Sequence, residues 1–88
     1  MIQQTSLEAF KEVRQNLGER QKQVYECLKL IQPATNFMIS RNLNIPINSV
    51  TPRVKELRDK KLVGVDFVDA DLFTGRKAIY WKCVINKI

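Results

Sequence analysis

The sequence predicts a mainly α, α+β domain: an N-terminal helix, a three-helix core and a C-terminal β-hairpin wing. Three observations carry this. From residue 7 to residue 57 apolar side chains recur every three or four positions, the period of amphipathic helices. After residue 62 the period drops to two, the mark of strands with one apolar face. Breakers and turn formers fall at the joints, namely Gly18, Pro33, Asn44, Pro46 and Gly75. With 88 residues there is room for a single domain, read as an extra helix over 6–17, a helical core over 19–61 and a hairpin over 62–86.

Each element has its own signal. Ser6 can cap the first helix, Leu7, Phe10, Val13 and Leu17 form its stripe, and Gly18 is a natural stop. A second helix over about 19–32 carries Val24, Cys27, Leu28 and Ile31, and Pro33 closes it. Thr35 or Asn36 can cap a short helix over 36–43 that buries Ile39 and Leu43. Asn44 stands where a left-handed residue turns the chain, and Ile45 anchors that turn. In the fourth helix, about 48–60, Val54, Leu57 and Lys61 fall within about 40° of Val50 on a helical wheel. If Asn48 or Ser49 is its cap, Pro52 lies in the first turn, where a missing N–H costs little.

Two strand-like runs follow, "LVGVDFVD" and "RKAIYWKCVI". Val63, Val65 and Phe67 alternate on the first, and Ile79, Trp81, Cys83 and Ile85 on the second. Those wholly apolar positions are expected to face the core, which leaves Tyr80 outward. Three helices followed by a hairpin with a charged tip is the layout of a winged helix-turn-helix.

Composition narrows the function. There are 15 basic and 9 acidic side chains, net +6. The excess is uneven: residues 1–32 hold five basic and four acidic groups, and residues 33–88 hold ten and five. Positive charge gathered on one part of a small chain suits a polyanion. No apolar run approaches the ~18 residues of a membrane span. The N-terminal "MIQQTSLEAFKEV" is not patterned as a signal peptide. With no histidine and only Cys27 and Cys83, a zinc site lacks ligands, and both thiols are expected to be free in a reducing cytoplasm. No Gly-rich phosphate loop, carboxylate cluster or cysteine beside a base supports an enzyme.

The outer face of the fourth helix then becomes the candidate site. Asn48, Ser49, Thr51, Pro52, Lys55 and Glu56 point away from the core side on the wheel, and Arg53 and Lys55 supply charge. Short polar side chains at the start of such a helix allow close approach to base edges in a major groove. Arg76 and Lys77, directly after Gly75, make a basic tip able to reach phosphates or the minor groove. Residues 62–75 are net −3 through Asp66, Asp69 and Asp71, so contact by the wing is expected from Arg76 and Lys77 alone.

Taken together, "TSLEAFKEV", "ERQKQVYECL", "PATN", "NIPINSVTPRVKELRDKKLV" and "TGRKAIYWK" resemble the winged helix-turn-helix superfamily, close to its MarR-like group. More narrowly, the chain is similar to small DNA-binding proteins encoded by bacteriophages and prophages. The resemblance covers most of the chain, and "PINSVTPRVKEL" and "TGRKAIYW" are its more specific parts. It implies a reading helix starting near Asn48, with Ser49, Thr51, Pro52 and Arg53 toward DNA. It implies a wing with Arg76 and Lys77, and a helix start at Thr35 and Asn36 suited to phosphate. The sequence departs from the pattern at Lys61, where glycine is usual and a less sharp turn is expected, at Asn44, and in its acidic wing.

These readings converge on a cytoplasmic regulator of transcription that binds double-stranded DNA, with no cofactor, no metal and no membrane. The helix over 6–17 is separable and is read as a route to a homodimer. The rival is a protein-interaction module, of the kind serving phage replication or excision, that uses the reading helix or the first helix without reading sequence.

Overall fold

Gly18, read from sequence as the stop of the preceding helix, is the N-cap of the first helix in a computed structural model that describes residues 17–84. Of the helix expected over 6–17, residues 6–16 with Ser6 lie outside those residues, as does Ile85 at the far end. Helix α1 spans Glu19–Ile31, α2 spans Asn36–Leu43 and α3 spans Ile47–Asp59. Strands β1 (Val63–Ala70) and β2 (Lys77–Cys83) form an antiparallel hairpin. Between α1 and α2, Ala34 pairs with Trp81 through two backbone hydrogen bonds of 2.8 and 3.1 Å, tying the helices to β2.

The joints follow from local chemistry. Thr35 is the N-cap of α2, its hydroxyl accepting the Met38 N–H at 3.1 Å. Asn44 takes the left-handed conformation, φ +56, as its short polar side chain allows. The Ser40 hydroxyl, bonded to the Ile45 carbonyl at 2.5 Å, fixes the turn into α3.

Two expectations at α3 are corrected. Its cap is Pro46, not Asn48 or Ser49, so Pro52 is the sixth helical residue rather than a first-turn one. Lys61 leaves the core side altogether: α3 stops at Asp59, and Lys61 is exposed with φ +64. There its N–H bonds the Arg58 carbonyl and the Leu62 N–H bonds the Leu57 carbonyl, with Leu57 and Leu62 both buried. This is a Schellman ending, and lysine occupies the position where glycine is commonest. The turn is therefore as sharp as a glycine would make it.

The core lies between the helices and the base of the hairpin. Val24, Leu28, Ile39, Val50, Val54 and Leu57 are buried to within 1% of completely, and Tyr25, Ala34, Val63 and Trp81 complete the cluster. Each such aliphatic contributes about 1.5–3 kcal/mol relative to leaving it in water.

The hairpin obeys strict alternation only at its base. A bulge between Val65 and Phe67 shifts the register, so that Phe67 pairs with Tyr80 and Val68 with Ile79. One extra residue moves Phe67 to the face opposite the one its spacing from Val63 predicts. Tyr80, expected outward, is only 6% exposed because Phe67 stacks on it, ring centroids 4.5 Å apart, and its hydroxyl donates to the Ala70 carbonyl. Val65, Phe67 and Ile79, expected in the core, stay exposed beyond it, as does Val68. Three helices and a wing of two strands, joined through Ala34, make a winged helix-turn-helix.

Candidate nucleic-acid interface

Helix α3 presents Asn48, Thr51, Pro52 and Lys55 to solvent, while Ser49 is half-buried. The Thr51 hydroxyl donates to the Ile47 carbonyl at 3.2 Å, and Pro52 has no N–H to offer the Asn48 carbonyl. An interior proline costs about 3 kcal/mol or more, most easily borne on an outward face where water can serve the freed carbonyl. The Pro46 cap supplies no side-chain acceptor, and no acidic residue occupies the first turn. The positive end of the α3 dipole is thus left uncompensated by the protein.

Arg53 is placed differently from its expected role. It is half-buried and ion-paired with Glu56, its Nη2 donating to Oε2 at 2.8 Å and its Nε lying 2.8 Å from Oε1 without a hydrogen bond. Gln21 at the start of α1 adds a bond to Glu56 at 2.6 Å. Hydrogen bonds from Arg53 and Gln21 hold the Glu56 carboxyl below its ordinary range. Glu56 therefore turns toward α1 rather than outward and neutralises Arg53. Lys55, in the second half of α3, is exposed, as is Arg58.

The wing tip folds back on the start of α2. Asp71 is 3% exposed although it lies in a surface loop. The Thr35 hydroxyl donates to its Oδ1, and the Phe73 and Thr74 amides donate to its Oδ2, each at 2.8 Å. Burial opposes the charge, but these donors outweigh it and leave the carboxyl below its usual value. The Asp71 amide also bonds the Arg76 carbonyl, and Gly75, φ +72, returns its N–H to the Asp71 carbonyl. Phe73 packs near Phe37, centroids 6.3 Å apart, with the Arg41 guanidinium 4.5 Å above its ring.

This geometry commits the Thr35 side chain. Thr35 is 1% exposed, and its hydroxyl is committed to Met38 and Asp71, so its side chain is closed to a phosphate. Asn36, Thr51, Arg76 and Lys77 are instead brought together along a groove of about 330 Å³ between the helices and the wing. Ile47, Ile79 and Trp81 give it an apolar lining, and Arg58 lies over the outer part of the Trp81 ring at 5.9 Å. Asn36 Nδ2 approaches the Thr51 hydroxyl at 3.5 Å, linking α2 to α3 across its helical side.

Sequence reasoning missed Asp71, Arg58 and Arg41. For Asp71 a signal was present: in "DLFTG" an Asp two and three residues before free amides is an Asx-turn pattern. Its acidity also means less than the net charge of the loop implies, since only Asp66 and Asp69 of the three carboxylates are exposed. Both thiols are free; Cys27 is buried and bonds Asn42 Oδ1 at 3.3 Å, and Cys83 is half-buried. Among the described residues no His, Cys, Asp or Glu group is placed to hold a metal ion, and no helix is long and apolar enough to cross a membrane.

No family model matches the chain, and no curated protein matches it. Among solved structures, the chain is similar to a protein of Methanosarcina mazei Go1 described as a possible transcriptional regulator, with a TM-score of 0.63 at 20% identity. The match covers 89% of this chain and 65% of that one, so the chain spans just under two thirds of its neighbour. At that identity the likeness is one of fold, and it agrees with the architecture built up above: a winged helix-turn-helix domain.

Proposed function

We propose that this chain binds double-stranded DNA and acts as a transcriptional regulator, with α3 in the major groove and the wing tip on the flanking backbone or minor groove. The observation that carries the reading is the groove that sets Asn36 and Thr51 opposite Arg76 and Lys77. The ten basic and five acidic groups of residues 33–88 supply the field. Asn48, Ser49, Thr51 and Pro52 are the proposed base-edge contacts, and Asn36, Lys55, Arg76 and Lys77 the phosphate contacts. Thr35 and Arg53 act behind them, one holding the wing and the other holding Glu56, which accepts the Gln21 bond from α1. The name of the structural neighbour supports a regulatory role. A MarR-like kinship, a bacteriophage or prophage origin and a cytoplasmic location rest on the resemblance and composition.

Fluorescence anisotropy with a labelled duplex across a salt series tests this. Log K should fall linearly with log[salt], by roughly 0.9 for each phosphate neutralised. Absence of duplex binding even at low salt rejects the proposal. Selection from a random duplex pool then gives the site. A palindromic consensus with half-sites about 34 Å apart would establish a dimer on DNA, for which the segment over 6–17 is the proposed contact.

A second reading, a protein-interaction module, is favoured by one observation. The wing exposes Val65, Val68, Leu72 and Phe73, with Leu72 76% and Phe73 55% accessible. Such a module would show no salt-dependent duplex affinity.

A further inference from the structure

We propose that Asp71 is a positioning residue for nucleic-acid binding: its carboxylate locks the wing tip onto the α2 N-cap and thereby sets Arg76 and Lys77 across the groove from α3. The inference rests on the DNA-binding reading and names how that site is held in shape.

The carboxylate needs an explanation, because a surface that meets phosphates gains nothing from a negative charge five residues before Arg76. The structure supplies one. Asp71 is withdrawn from solvent and collects the Thr35 hydroxyl from α2 and the Phe73 and Thr74 amides from its own loop. Its backbone closes the same loop, the amide bonding the Arg76 carbonyl at 2.8 Å and the carbonyl accepting from Gly75 at 2.8 Å. One residue therefore joins the tip to the helices through its side chain and shapes the tip through its main chain. Thr35 completes the link, since the hydroxyl that donates to Asp71 also accepts from Met38 at the start of α2. Phe73 against Phe37 and Arg41 is a further contact on the same side. A wing fixed in this way before DNA arrives does not have to be ordered on binding, which preserves affinity.

The two roles a carboxylate can have here predict opposite signs. If Asp71 merely adds negative charge, Asp71→Asn should tighten duplex binding. If it positions the wing, the same change should weaken binding roughly tenfold despite the gained charge, as expected when a loop must be ordered in the complex. Binding would be read by anisotropy at fixed low salt on the full chain, alongside amide exchange of Phe73 and Thr74 in the free protein. The expected result is loss of protection at those two amides together with weaker binding. Thr35→Val changes no charge and should act in the same direction, while Thr35→Ser keeps the hydroxyl and should behave as wild type. These variants carry the test if Asp71→Asn does not fold.

Unchanged or tighter binding by Asp71→Asn overturns the proposal, as does full amide protection in that variant. A wild-type protein that binds no duplex refutes the DNA reading instead. In that case amide exchange alone decides whether Asp71 holds the wing.

Discussion

Replacing Lys61 with glycine should stabilise the domain, and the size of the gain follows from the backbone. Lys61 stands at φ +64, two residues past the end of α3. A left-handed conformation costs an ordinary L-residue about 1–2 kcal/mol through contact of Cβ with the carbonyl that follows. Glycine removes that contact but is freer in the unfolded chain, which offsets about 0.4–1 kcal/mol. Both Schellman hydrogen bonds belong to the main chain and survive the change, and the lysine side chain is exposed. The net gain is about 0.5–1 kcal/mol, a rise in Tm of roughly 2–8 °C for a domain of this length. Thermal melts followed by circular dichroism would measure it. Lys61→Ala is the control, because it removes the charge and keeps Cβ, and it should give no comparable gain. Equal stabilisation by the two variants would refute the reasoning, since relief of charge crowding and not of backbone strain would then be the cause. Asn44→Gly, at φ +56, should gain less, because asparagine tolerates this conformation better than lysine.

Four more outcomes are expected. Lys55→Ala should lower the salt slope of duplex binding by about 0.9. Arg53→Ala should leave that slope nearly unchanged and cost about 0.5 kcal/mol of stability, because its charge is spent on Glu56; a full one-phosphate drop for Arg53→Ala would place it on DNA after all. Asp71 has a folded pKa below its ordinary value, so its stabilisation is present at neutral pH and disappears as pH falls through the depressed value. Acid unfolding below about pH 4 should therefore be steeper in wild type than in Asp71→Asn, and parallel acid limbs would count against the link. Burial pushes the Cys83 thiol up to about 11 and raises Cys27 as well. At pH 8 roughly one Cys83 in a thousand is thiolate, so iodoacetamide should label the native protein far more slowly than the unfolded one.

Local chemistry made much of this fold legible. The stripe through Val50, Val54 and Leu57, the Thr35 cap and the left-handed Asn44 all depend on residues within one or two turns of one another. What stayed hidden depends on distance or on backbone alone. The start of α3 was misplaced because Pro52 argues for a later cap, whereas the turn anchored by Ser40 and Ile45 has the chain helical from Ile47. A bulge leaves no side-chain signature, so strict alternation puts Phe67 and Tyr80 on opposite faces although they pair. The candidate site divided along the same line. Exposure of Asn48, Thr51, Pro52 and Lys55 follows from helical period. The bond from Gln21 to Glu56, and that from Thr35 to Asp71, joins residues 35 and 36 positions apart.

The misaligned step in the hairpin also bears on how the molecule behaves when crowded. Among the described residues β1 is a free edge, since Ala34 pairs on the far side of β2. That edge carries Val65, Phe67 and Val68, all accessible, in a run that would serve as a template for another chain. A second strand laid along it meets a break in the ladder of donors and acceptors at Asp66, and then the exposed charges of Asp66 and Asp69. Two copies brought edge to edge set like charges against each other just where their hydrogen bonds fall out of step. The irregularity that spoils the alternation thus opposes pairing of another strand along this apolar edge.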